Sequence, residues 1–193
     1  MKVSKETTEQ NRERVIDTAA TLFRERGIDG VGIADLMGAA GLTHGGFYRQ
    51  FKSKDDLVVQ AVKRAYEDMS ADLRQRLEAS DEAPLVTLVR HYVSDFHRDE
   101  PGRGCSLTAL AADAARRDDP ELRAFFGNIV GNYIALLTNL MPEGDPAERR
   151  NAAIAVLSEM VGSVVLSRVV PDATLSHEIL STVSNDLVGR HAS

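Results

Sequence analysis

The chain has 193 residues, 43% of them hydrophobic, enough to build a sizeable core in one domain or two small ones. Its single cysteine, Cys105, excludes an internal disulfide and a zinc site made mainly of thiolates. The formal charge of −6 argues by itself against nucleic acid, yet residues 1–64 carry 11 Lys and Arg against 9 Asp and Glu, which leaves a weakly basic head on an acidic body.

No run of about 18 apolar residues offers a bilayer span. Residues 1–10 are polar with both signs of charge, unlike an export signal, so the sequence reads as cytoplasmic with no membrane partner. The fold class is all-α, because no period-2 alternation persists long enough for a sheet. The first helix is predicted over residues 8–26, with Val15, Ile16, Ala19, Ala20, Leu22 and Phe23 at helical spacing and Gly27 as its left-handed stop. A second covers residues 33–40, with Ile33, Leu36, Met37 and Ala40 inward. Gly41 then turns the chain into a very short third helix capped by Thr43. These are helix-turn-helix proportions. A helix of about two turns does not hold itself together in water. Leu42, Phe47 and Phe51 are therefore expected to clamp it while Thr43, His44, Tyr48 and Gln50 face an outside partner, read here as DNA.

A Ser-x-x-Asp cap at Ser53 and Asp56 opens a long helix to about residue 79. Further helices are expected over residues 84–98, 105–116 and 120–140. Asp145-Pro146 starts another in cap-then-proline order. Between residues 152 and 170 its apolar positions spread almost all round, so burial on two sides is expected. One side meets the core. A second subunit is the natural cover for the other, reached through Ile154, Leu157, Val161, Val164 and Val165, with the small Gly162 and Ser163 allowing close approach. The last helix, residues 172–188, adds Leu175, Ile179 and Val183 to that contact.

The segment 12–62 strongly resembles the N-terminal domain of the TetR family of bacterial transcriptional regulators. The resemblance rests on Ala19-Ala20-x-Leu22-Phe23 with Gly27, Ile33-x-Asp35-Leu36, Ala39-Ala40-Gly41-Leu42-Thr43 and Phe47-Tyr48-x-x-Phe51-Lys52-Ser53-Lys54-Asp55-Asp56-Leu57. It implies an all-helical homodimer with a DNA-binding head, residues 1–53, and a ligand-binding and dimerisation body, residues 54–193. It also implies phosphate contacts from Thr43, Tyr48 and Lys54. His44, Arg49 and Gln50 are the candidates for base edges, since glutamine pairs with adenine, and arginine or a histidine N–H donates to guanine. Arg12, Arg14 and Lys52 are further phosphate candidates, Lys52 standing equally as a solvated charge. Gly45 and Gly46 weaken the third helix and offer close backbone approach. The chain departs from the family pattern at Gly32, where a Ser or Thr cap is common, and at Met37, where alanine is common.

The same resemblance implies a regulator, expected as a repressor released from a palindromic double-stranded DNA operator by an unidentified small-molecule inducer. Activation is the alternative mode. Tyr66, Met69, Tyr92, Phe96, Cys105, Phe125, Tyr133 and Met160 are candidates to line the inducer cavity, against an ordinary core reading of the same residues. Cys105 likewise has two readings: a small buried hydrophobe, or a sensor of electrophiles or oxidants at a helix start. His91, Asp95 and His97 do not form a compact ligand set, so no metal and no cofactor is expected. No nucleophile and base share a recognisable spacing and no phosphate loop is present, so the chain is not read as an enzyme. A small-molecule binding protein without DNA function is the alternative from another class.

Overall fold

The computed structural model describes residues 5–191, which form α1 (Lys5–Arg26), α2 (Ile33–Ala39), a 3-10 helix (His44–Arg49), α3 (Lys54–Ala79), α4 (Pro84–Tyr92), α5 (Asp95–Asp99), a short 3-10 turn (Pro101–Arg103), α6 (Ser106–Arg116), α7 (Pro120–Leu140), α8 (Pro146–Val169) and α9 (Ala173–His191). No strand occurs among the described residues, as the all-α reading expects. Residues 1–4 lie outside the described residues, so the polar opening of the chain is described only from Lys5 onward.

The chain forms two compact units. The first holds the residues up to Asp68 together with Pro101–Arg123, and the second holds Met69–Glu100 together with the residues from Ala124 onward. The unit that carries residues 5–53 is therefore larger than those residues, since it also takes the first half of α3 and the whole of α6.

In the first unit α1 buries Val15, Ile16, Ala19, Ala20, Leu22 and Phe23, and it stops at Gly27, whose φ of 75° suits glycine. α2 begins on Gly32 with no side-chain cap, as its sequence implies. It ends in a Schellman arrangement. Leu42 N–H donates to Met37 O at 2.8 Å and Gly41 N–H to Gly38 O at 3.0 Å, with Gly41 at φ 70°.

α6 is braced against this unit at three points. Arg24, itself buried, donates to Gly104 O at 3.2 Å. Burial lowers the pKa of this guanidinium, and the charges of Asp68, Cys105 and Glu25 oppose that shift. Asp113 Oδ2 accepts from Ile28 N–H at 3.0 Å, and Arg117 donates to Asp29 at 2.6 Å and also to Asp55. Gly102 belongs to the same brace: a Cβ there would lie 2.7 Å from Glu25 Oε1 and 2.9 Å from Thr21 Cγ2, so a larger residue would have to displace those side chains for the 101–103 turn to keep its place on α1.

α3 starts as its sequence says it should. Asp56 N–H donates to Ser53 Oγ at 3.0 Å, and Asp56 Oδ2 accepts from Lys52 N–H at 3.0 Å. Leu57, Val58, Ala61, Val62 and Ala65 are its buried stripe in the first unit.

In the second unit the helix expected over residues 84–98 is two. α4 ends at Tyr92, and Ser94 accepts from His97 N–H at 3.2 Å while donating to His91 O at 2.8 Å, so it caps a new helix rather than continuing the old one. Arg168 of α8 donates to the carbonyls of His97 and Arg98, and Arg98 donates to Ser176 Oγ at 3.2 Å, which ties α5, α8 and α9 together. Asp145 caps α8 by accepting from Ala147 and Glu148 N–H at 2.9 and 3.0 Å.

The α6 brace has a measurable cost of removal. Asp113→Ala leaves the N–H of Ile28, a fully buried residue, without its acceptor, and destabilisation of about 1–3 kcal/mol is expected. A lower denaturant midpoint at unchanged slope is the check, and an unchanged midpoint refutes the role given to Asp113.

Candidate nucleic-acid interface

The segment after Gly41 is a 3-10 helix of 6 residues rather than the short α-helix expected from sequence. Its bonds run from Gly46 N–H to Thr43 O and from Gln50 N–H to Phe47 O, each 2.9 Å. Two consecutive glycines explain the change, because they give the α-helical form too little support over so few residues. Thr43 occupies the N-cap position, but its side chain makes no capping hydrogen bond, which leaves its hydroxyl on the surface.

Two aromatic anchors hold this helix down. Phe47 is 0% and Phe51 2% exposed, with ring centroids 5.4 Å apart. Tyr48 stands edge-on to Phe47 at 5.1 Å and is 66% exposed, so its ring is fixed at the base and free at the hydroxyl. His44, Gly45, Arg49 and Lys52 are exposed beside it, while Gly46 and Leu42 are half-buried. The expected clamp is present in Phe47 and Phe51, with Leu42 as a partial third member.

The expected base readers do not stand equally. His44 and Arg49 project outward. Gln50 is half-buried, and its Oε1 is fully buried without a hydrogen-bond partner among the described residues, so a base contact requires its carboxamide to swing out. Lys54 is half-buried at the head of α3, with Nζ 6.0 Å from the Phe23 ring centroid, which leaves its charge near the N-terminus of that helix. Arg12 packs its guanidinium 5.2 Å from the Phe51 ring centroid and donates to Gln60, so it buttresses the anchor as well as carrying charge. Arg14 is exposed and reaches Ala40 O at 3.5 Å.

A residue the sequence reading missed is Arg117. Its bond to Asp55 lands next to Lys54, and its bond to Asp29 fixes the loop after α1, so it sets the orientation of the α3 N-terminus. The two aspartates raise its pKa against the desolvation that lowers it, which keeps the cation charged. Nothing local in the sequence signals this role, because the partners are 88 and 62 residues away.

The candidate inducer residues fall in both units. Tyr66, half-buried, and Cys105, buried at the N-cap of α6 with its sulfur accepting from Leu107 N–H at 3.4 Å, belong to the first. In the second, Tyr133 Oη donates to Met69 Sδ at 3.4 Å, and the Tyr92 and Tyr133 rings meet edge to face at 6.2 Å. Met160 is fully buried core, Phe125 is half-buried, and Phe96 is 43% exposed. His97 extends the Tyr92 contact, with rings 4.6 Å apart and Nδ1 2.7 Å from Tyr92 O. Among the described residues, no three or more His, Cys, Asp or Glu side chains converge as metal ligands.

The candidate subunit contact divides. Leu157 and Val164 are 6% and 0% exposed and belong to the core of their own chain, as does Ser163 at 3%. Within their own chain they leave little surface for a second subunit, and a helix apolar all round hides that phase in its sequence. The uncovered face is Ile154, Val165, Leu166 and Val169 of α8 with Leu175 of α9, while Val161, Ile179 and Val183 are half-buried beside it. Leu166 and Val169, 58% and 75% exposed, are the most exposed residues of this face and were not among the candidate contact residues. α8 is also long and apolar enough to cross a membrane by length and composition.

Residues 15–61 match the family model described as bacterial regulatory proteins, tetR family. The chain is 25% identical over 145 residues, 74% of its own length and 72% of the relative's, to the HTH-type transcriptional repressor NemR of Escherichia coli K12. Similar solved structures include a TetR-family transcriptional regulator from Cytophaga hutchinsonii, with a TM-score of 0.77 at 19% identity over 98% of each chain. Another is a TetR transcriptional regulator from Chloroflexus aurantiacus, with a TM-score of 0.78 at 24% identity over 97% of this chain and 100% of that one.

His97 makes the second unit acid-sensitive. Burial pushes its pKa from the ordinary 6.5 down to about 4, with Arg168 and His91 adding to the shift and the hydrogen bond to Tyr92 opposing it. Unfolding therefore takes up a proton between these values. Stability is whole above pH 6.5 and falls with pH toward 4, by up to about 3 kcal/mol. Melting curves at stepped pH should show this fall, and His97→Asn should flatten it. An equal fall in the variant rejects the assignment.

Proposed function

We propose that this chain, which belongs to the TetR family of bacterial transcriptional regulators, represses transcription as a cytoplasmic homodimer that grips a palindromic operator and lets go when a small molecule binds. It is a DNA-binding transcriptional regulator, and the reading gives it no catalytic step. The observation that carries the proposal is the 3-10 helix His44–Arg49, pinned by Phe47 and Phe51 with Tyr48, His44 and Arg49 outward.

In this reading residues 1–53, joined by Lys54 at the head of α3, contact DNA, and the body, residues 54–193, dimerises and takes the inducer. Thr43, Tyr48 and Lys54 grip phosphates, while His44, Arg49 and a swung-out Gln50 meet base edges. The uncovered apolar face of α8 and α9 is closed by a second copy. That places two such helices in successive major grooves, about 34–36 Å apart. Met69, Tyr92 and Tyr133 support an inducer site with aromatic and thioether walls. The inducer acts only through a difference in affinity for the DNA-competent and released states, commonly about 1–3 kcal/mol.

Selection from a random duplex pool should yield one symmetric sequence, bound more weakly as salt rises. Tyr48→Ala and Lys54→Ala, at wild-type helicity, should each weaken binding, and Lys54→Ala should lower the salt slope by about 0.9 for the phosphate it no longer neutralises. Equal retention of all duplexes rejects the function. The pairing of copies is checked by sedimentation at micromolar concentration, where wild type should run as a dimer and Leu166→Glu with Val169→Glu as a folded monomer. A dimeric double variant would move the interface elsewhere.

A further inference from the structure

Most glycines around the head answer to the chain itself. Gly27 and Gly41 have positive φ, a Cβ on Gly30 would sit 2.1 Å from Arg26 O, and one on Gly102 would strike Glu25 and Thr21. Gly45 answers to nothing inside. A Cβ on Gly45 would meet no atom within 4 Å, whereas one on Gly46 would face its own chain, with the buried Met37 Cε at 3.5 Å and Thr43 Oγ1 at 4.0 Å in ordinary contact. Neither residue has the positive φ that would exclude an alanine. Both sit inside a helical turn, where glycine is among the poorest formers, so the fold alone would be better served by side chains there. They are adjacent and lie between the exposed His44 and the exposed Tyr48.

We infer that Gly45 keeps a patch of bare backbone so that the duplex packs against this helix closer than a Cβ permits. The inference rests on the DNA-binding reading above and deepens it by naming the part of the surface that meets the groove without side chains. Specificity at this point comes from fit. The flanking His44 and Arg49 reach their targets only when the backbone between them is seated, so a methyl group at 45 lifts the whole reading surface. Gly38 supplies the comparison. It is exposed on α2, outside the 3-10 helix, and its Cβ would also meet nothing within 4 Å.

The test uses the full chain and the duplex that wild type selects from a random pool. Gly45→Ala, Gly46→Ala and Gly38→Ala should all fold, with melting temperatures equal to wild type or higher by about 2–4 °C. Gly45→Ala should lose at least about tenfold in affinity, Gly45→Leu should lose more, and Gly46→Ala and Gly38→Ala should bind as wild type does. Wild-type affinity in Gly45→Ala overturns the inference and leaves the DNA-binding reading standing. So does a fall in its melting temperature, which would give Gly45 an internal role. A wild-type protein indifferent to every duplex overturns both.

Discussion

Burial of Phe47 and Phe51 is the interaction on which the reading surface depends. A 3-10 helix of 6 residues closes too few hydrogen bonds to repay the entropy of ordering it. Two phenyl rings removed from water supply the missing stabilisation, roughly 2–3 kcal/mol each. The Schellman turn at Gly41 aims the helix, and the Ser53 and Asp56 cap ends the segment by starting α3 immediately. Because anchor and probe alternate in the chain, Tyr48 is positioned by the residue before it. A free hydroxyl on a fixed ring is what a phosphate contact needs, since little further ordering is required on binding.

The brace around α6 shows how that surface is kept rigid by distant sequence. Arg24, Asp113 and Arg117 each link α6 or its approach to the head, and their partners include a carbonyl, a buried amide and two carboxylates. The Arg117 pairs are partly exposed and are worth little as stability. Their value is geometric, because one guanidinium spans the loop after α1 and the start of α3. The Ile28 amide is different in kind, since a buried donor without an acceptor is costly whatever else is present.

What could be read in the sequence was what is decided within a few residues. The caps at Ser53 and Asp145, the stop at Gly27, the turn at Gly41 and the anchors at Phe47 and Phe51 are local, and each residue type has one main use in that position. The break at Ser94 escaped because a serine inside an apolar periodicity reads as helix until its hydroxyl is seen to cap. The placement of α6 with the head escaped because Asp113 and Ile28 are 85 residues apart. The phase of α8 escaped for another reason. Where apolar residues cover the whole circumference, periodicity carries no direction, so Leu157 and Val164 could not be told from Leu166 and Val169. The buried Oε1 of Gln50 depends on a rotamer, which residue identity leaves open.

The connectivity of the two units restricts how a regulatory signal can reach the DNA-binding surface. The chain passes between them after Asp68, after Glu100 and after Arg123. Two of these passages lie inside continuous helices, α3 and α7, and the third leads directly into the 101–103 turn that Gly102 seats on α1. On the proposed reading a ligand held by Met69 and Tyr133 touches α3 one residue beyond its passage at Asp68, and the same helix begins at Lys54 with Asp55 held by Arg117. On that reading the inducer and the phosphate contact at Lys54 share one helix, whose first turns are held by the Ser53 cap, by the buried Leu57 and Val58 and by Arg117. A ligand there changes DNA affinity only through a difference in its own affinity for the arrangements of that helix that do and do not fit the duplex.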